Sequence, residues 1–313
     1  MGKGERNRQQ NARERIAAQQ AAARKAENRR RLFIAGGSVL AVIVIIVGLV
    51  IFKTTSKPGK TTGAPTASAS LETQVAYDIA HVPASALNKV GAGPSGANAI
   101  DPLQVPKKKV AVLMLDGKPE MLYVGAEYCP FCGAERWAMA VALSRFGTFT
   151  GLHLIHSDSD DIYSNTMTLS FYQSTFTSKY LTFVPVETTT EDKATLQTPT
   201  AAENKLMNTY DVPPYVPSSA YDGSFPFIDI GNQYVDDGAQ YEPSVLGTTE
   251  NVDASHYGLT WQEIASDLSN PNSSVGQAIL GTANDLTAGI CKVTGGQPGS
   301  VCNSPGVKAI SQI

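Results

Sequence analysis

The sequence predicts an α/β domain held outside a membrane by one apolar helix, and three observations lead there. Residues 32–52, LFIAGGSVLAVIVIIVGLVIF, contain no charged residue and are long enough to cross a bilayer once, which takes about 20 apolar residues. Between residues 110 and 156, short apolar runs flank a segment with helical periodicity. Two of the four cysteines, Cys129 and Cys132, stand two residues apart where one of those runs meets that helix.

The apolar segment reads as an uncleaved signal anchor. A cleaved signal peptide has an apolar region of only about 7–15 residues with a small-residue cleavage site close behind. Here the run is longer, and the nearest Ala-x-Ala, Ala67-Ser68-Ala69, lies well past its end. Residues 1–31 hold ten Lys/Arg and three acidic residues, a net charge of +7; the whole chain is −3, so the remainder carries −10. Basic flanks stay in the cytoplasm, which directs the long C-terminal part outward, with Lys53, Lys57 and Lys60 opposing this weakly. The run RKAENRRR invites comparison with nucleic-acid-binding arms, but beside a membrane span its natural counterpart is anionic lipid. No nucleic-acid partner is expected. Residues 53–72, rich in Thr, Ser, Pro, Gly and Ala, read as a flexible stalk.

Residues 73–313 suffice for one elaborated domain with its own core. VAVLML (110–115) and MLYVGA (121–126) are strand candidates separated by the turn-like DGKPE, and GLHLIH (151–156) is another. Between them Ala134, Trp137, Ala138, Val141, Ala142 and Phe146 recur at helical spacing and stop at Gly147. The order strand, helix, strand predicts a βαβ unit with parallel strands. Further on, FIDI and QYV flank Gly231-Asn232, a two-residue hairpin signal. TLSFYQSTF and YLTFVPVETTT look extended, TPTAAENKLMNTY opens like a capped helix, and 259–268 and 274–291 read as helices.

The chemistry concentrates in Cys129-Pro130-Phe131-Cys132. At a helix N-terminus the Cys129 thiolate is stabilised by unpaired backbone N–H groups and the positive end of the helix dipole. Pro130 suits the first helical turn, where its missing N–H costs nothing. Cys129 is then the attacking thiol, and Cys132 is close enough to resolve a mixed disulfide formed on it. A structural zinc site needs four ligands, usually as two close pairs; Cys291 and Cys302 are far along the chain, and His81, His153, His156 and His256 form no matching pair. A copper site using the two cysteines with His153 or His156 stays open. HSDSDD (156–161) lacks the glycine and distal glutamate of a calcium loop and reads as solvated. Outside the cytoplasm Cys291 and Cys302 are expected to form a structural disulfide, with a second redox pair as the alternative. Glu127 and Glu135 flank the motif as proton-relay candidates or exposed acids, and Trp137 is a core residue. No phosphate-binding loop, Ser/His/Asp pattern or paired-carboxylate signature is present.

With a strand leading into the first cysteine, a helix after it and a later proline before a hairpin, residues 105–268 resemble the thioredoxin superfamily. AEYCPFCGAERWA looks particularly like membrane-anchored thioredoxin-like proteins of archaea and actinobacteria. The resemblance implies a thioredoxin-like fold with an insertion at about 157–223 and a C-terminal helical extension at about 272–313. It also implies that Pro226 is a cis-proline facing the cysteines, with Phe225, Pro130 and Phe131 contacting substrate. Tyr128 stands where thioredoxins carry Trp, and Phe225 is bulkier than the usual residue before the proline. The activity implied is thiol–disulfide exchange on protein clients, without a cofactor; the oxidising surface outside the membrane is what directs it toward disulfide formation, with a membrane redox partner re-oxidising it. The alternatives are a reductase for cytochrome or metal-centre maturation, and a non-catalytic binding module whose cysteines are structural or metal-binding.

Overall fold

The computed structural model describes residues 67–95, 100–106, 110–215, 223–248 and 257–310. The expected span at 32–52, the basic segment and most of the stalk lie outside the described residues. Among the described residues, no helix is long and apolar enough to cross a membrane. The stalk expected over 53–72 ends early, because helix α1 (Ala69–Ala80) begins inside it. Ser68 caps that helix, its hydroxyl accepting from the Leu71 N–H, and Val75 and Ile79, one turn apart, are buried. A short helix, α2 (Ala84–Val90), follows.

The central sheet is organised around β2 (Lys118–Gly125), which receives a two-residue strand β1 (Met114–Leu115) at its start. Met121, Leu122, Tyr123 and Val124 are fully buried because both faces of the strand are covered. One edge of β2 pairs antiparallel with β8 (Phe227–Ile230), which turns into β9 (Tyr234–Asp237). The other edge runs parallel to β7 (Thr182–Glu187), from Glu120 opposite Thr182 to Gly125 opposite Glu187.

That parallel partner corrects the expected βαβ unit. The strand at 151–156 forms as β4 (His153–His156), but it pairs antiparallel with β5 (Met167–Ser170); β3 (Gly147–Thr150) and β6 (Thr175–Ser178) form a second antiparallel ribbon. A strand beside β2 must be apolar on both faces. Phe183, Val184 and Val186 of β7 meet that requirement, whereas β4 begins and ends in histidine. Part of the segment read as an insertion therefore belongs to the central sheet. The same segment supplies α4 (Ala201–Tyr210), whose capping box joins Thr200 and Glu203 as its sequence predicts. Leu206, Met207 and Tyr210 pack on Leu122, Val124 and Phe227.

The opposite face of the sheet belongs to α3 (Pro130–Ser144). Its apolar residues recur at the predicted spacing, yet every residue from Cys132 to Leu143 is buried. An ordinary surface helix keeps one polar face. This one lies between the strands and α6 (Ser274–Val293), with α1 also packed against it. Arg145, just past the end of α3, donates to Asn284, Thr287 and Ser304 and so ties it to the C-terminal helices. Ile279, Leu280, Ala283, Leu286 and Ile290 of α6 are buried in the same core, so the expected C-terminal extension is integral to the domain. Helix α5 (Trp261–Asp267) has its own capping box, Thr260 with Glu263. Short helices α7 (Gly299–Cys302) and α8 (Pro305–Lys308) end the described chain, and a Cys291–Cys302 disulfide joins α6 to α7.

The hairpin at Gly231-Asn232 forms, but Ile230 faces Tyr234, so its turn takes three residues, not two. Gly231 and Asn232 both have positive φ, +63° and +58°. The positive φ at residue 231 favours glycine, and a Cβ there would stand 3.1 Å from Val112 and Val293, so a side chain would press on those two valines.

Candidate active site

β2 ends at Gly125, and four residues later the chain enters α3 with Cys129 as its N-cap, φ −78° and ψ 122°. The Cys129 Sγ takes the place of a capping oxygen and accepts from the Cys132 N–H at 3.3 Å. Pro130 opens the first turn, as expected. Neither cysteine is disulfide-bonded; Cys129 retains 7% of its exposure and Cys132 none. The Phe225–Pro226 bond is cis, as are Pro213–Pro214 and Gln297–Pro298. The Phe225 carbonyl lies 3.8 Å from Cys129 Sγ, close enough to accept from the thiol. Half-buried Tyr128, Phe131 and Phe225 pack around Ala126 and the two cysteines.

The two thiols are driven apart. Hydrogen bonding from the Cys132 side chain, aided by its backbone N–H and the charge of Arg136, outweighs burial and lowers the Cys129 pKa. Burial, reinforced by the bond to Cys129 and by its charge, raises the Cys132 pKa well above the ordinary thiol range. One thiol is prepared to ionise while the other is held protonated, which suits sequential attack and resolution.

Behind Cys132 lies a network that its sequence did not announce. Arg136 stands one turn further along α3, has no exposure, and places Nε 2.9 Å from Glu187 Oε1 and 2.9 Å from the Tyr123 hydroxyl. Its Nη2 donates to Glu187 Oε2 and to the carbonyl of Ala126. Arg136, the one basic residue of α3 and placed four residues after the second cysteine, was the available signal.

The loop at 156–161 is more than a solvated turn. The Asp158 N–H donates to the Tyr128 carbonyl at 2.9 Å, and its carboxylate pairs with Lys193, whose Nζ sits 5.2 Å from the Tyr128 ring centre. Phe131 meets Tyr163 edge to face at 5.7 Å. His153 Nδ1 lies 3.5 Å from a Glu72 carboxylate oxygen, and His156 Nδ1 lies 3.8 Å from one of Glu191. No group of three or more potential metal ligands occurs among the described residues. An open groove of about 530 Å³ between α4 and the sheet, lined by Leu113, Leu115, Val184 and Leu206, includes neither cysteine.

Both flanking acids are buried, contrary to the exposed alternative. Glu127 accepts from the Ser170 hydroxyl at 2.6 Å, and burial raises its pKa. Glu135 accepts from the Gln240 N–H at 3.1 Å, and burial pushes it up to about 8. Its folded pKa lies above that of the unfolded chain, so the native state holds the proton more tightly and stability falls as pH rises from about 4.5 to about 8. Glu135→Gln should therefore stabilise little at pH 5 and progressively more up to pH 8, by up to about 1.4 kcal/mol for each pH unit. Urea denaturation across that range measures it; a pH-independent difference would contradict the assignment.

These features define a mixed α/β domain with a Cys-x-x-Cys pair at the N-terminus of its central helix. The chain belongs to the family described as Domain of unknown function (DUF929), whose model matches residues 107–292. No curated protein and no solved structure matches it.

Proposed function

We propose that this chain carries out thiol–disulfide exchange on protein substrates, with Cys129 attacking and Cys132 resolving. The observation that carries the reading is the division of the two thiols: Cys129 caps a helix with its pKa lowered, and Cys132 is buried with its pKa raised. A thioredoxin-like fold is the frame we infer, supported by β2, α3, parallel β7 and the β8–β9 hairpin around the motif, with Phe225 and Pro226 beside Cys129. Tyr128, Phe131 and Phe225 give an apolar client segment a surface to lie on.

We further infer that the domain works outside the cytoplasm behind the 32–52 anchor and donates disulfides, re-oxidised by a membrane partner. The Cys291–Cys302 bridge fits that compartment. A stabilised thiolate favours the reduced form and makes the disulfide a stronger oxidant. The test is Cys132→Ala, which removes the resolving thiol and should accumulate mixed disulfides with client proteins at Cys129 in non-reducing gels. A variant that accumulates none would favour a binding module with a static pair.

A further inference from the structure

The mechanism so far leaves a problem at Cys132. A buried thiol with a raised pKa is a poor nucleophile, yet it must ionise to release a client. The Tyr123, Arg136 and Glu187 network lies where it bears on that step.

Residues four apart on a helix share a face, so Arg136 occupies the same side of α3 as Cys132. Glu187 and the Tyr123 hydroxyl fix its Nε, and Glu187 and Ala126 fix its Nη2. The buried Nη1 has no hydrogen-bond partner among the described residues. An orphaned donor inside a protein is costly, and a thiolate formed nearby is an acceptor that relieves it. Gly125 shows how closely the phenol is fitted: a Cβ there would stand 2.1 Å from the Tyr123 oxygen. Tyr123 and Gly125 lie on the same face of β2, and the missing side chain leaves the ring room to lie along the strand and reach Arg136. Burial holds Tyr123 neutral, and Arg136 and Cys132 interact electrostatically.

We propose that Arg136, clamped by Glu187 and Tyr123, is the positioning residue of the resolving step, its guanidinium holding Cys132 as a thiolate once Cys129 is bound to a client. This rests on the exchange reading above. In the free reduced protein the Cys129 thiolate opposes a second negative charge at Cys132. When Cys129 enters a mixed disulfide that charge is gone, and Arg136 is the charge facing Cys132. Cys132 then loses its proton to solvent and its thiolate attacks the Cys129 sulfur. The Cys129–Cys132 bond forms, the Cys129–client bond breaks, and the client sulfur leaves with the electron pair as a thiolate. No other oxidant or reductant enters.

The reduced full-length protein mixed with dithiobis(nitrobenzoate) separates the two events, because Cys129 attack releases one coloured thiolate and Cys132 resolution releases the second. Arg136→Met/Glu187→Met removes both charges while keeping apolar volume, an exchange that buried ion pairs often tolerate. We expect its second phase to slow about tenfold at pH 7 and its midpoint to rise by about one pH unit, with a smaller change in the first phase. Arg136→Lys should recover part of the shift, and Tyr123→Phe, which deletes a single hydroxyl, should move the second midpoint upward by a smaller step. An unchanged second midpoint in the folded double variant overturns the proposal; if that variant does not fold, an unchanged midpoint in Tyr123→Phe does so. A wild-type protein that releases no second thiolate would instead overturn the exchange reading itself.

Discussion

Glu187→Ala should lower the stability of the domain by about 3–5 kcal/mol, the range expected when one partner of a fully buried ion pair is removed. Neither Arg136 nor Glu187 has any solvent exposure, so water cannot replace the lost carboxylate. The guanidinium would keep only the Tyr123 hydroxyl and the Ala126 carbonyl. Glu187 also accepts from the Phe171 N–H, so the chain just past β5 loses an anchor as well. Against a typical domain stability of about 5–15 kcal/mol the effect is large, and guanidinium denaturation measures it directly. Arg136→Met/Glu187→Met should recover most of the loss, because the cost arises from the unpaired charge. A single variant that loses less than about 1 kcal/mol would mean that the pair is not buried as described.

Cys129→Ser should slow exchange with a disulfide substrate at least about a thousandfold, equivalent to about 4 kcal/mol of barrier. Serine keeps the helix cap but is not a nucleophile at neutral pH. Cys132 cannot substitute, because it is fully buried and its pKa is raised. The fold should survive, since the capping bond from the Cys132 N–H is retained in kind. Stopped-flow reduction of a small aromatic disulfide provides the rate. A Cys129→Ser protein as fast as the parent would move the chemistry to another thiol.

The site was more legible in the sequence than the sheet was. Cys129 and Cys132 could be placed at a strand-to-helix junction because Pro130 and the Ala134, Trp137, Val141 spacing are local signals, read within a few turns. Pro226 could be chosen over other prolines because FIDI and a turn follow it. The Glu203 and Thr200 cap was equally local. Strand pairing was not: whether 153–156 or 182–187 lies beside β2 depends on which segment can be apolar on two faces, a comparison across sixty residues of chain. Helix α1 was hidden because Ala, Ser and Thr at its start continue the composition of the stalk, although Leu71, Val75 and Ile79 carry helical spacing. The Arg136–Glu187 pair was out of reach, since two opposite charges 51 positions apart give no pattern until the parallel register brings Glu187 opposite Gly125.

The most direct test of the attack-and-resolve assignment is iodoacetamide alkylation of the reduced protein across pH, with each cysteine followed by mass spectrometry. Cys129 should be modified first, with a midpoint below the ordinary thiol value of about 8.5, and Cys132 should remain protected until the protein is unfolded. Equal reactivity of both thiols at the ordinary value, or no reactivity at Cys129, would contradict it.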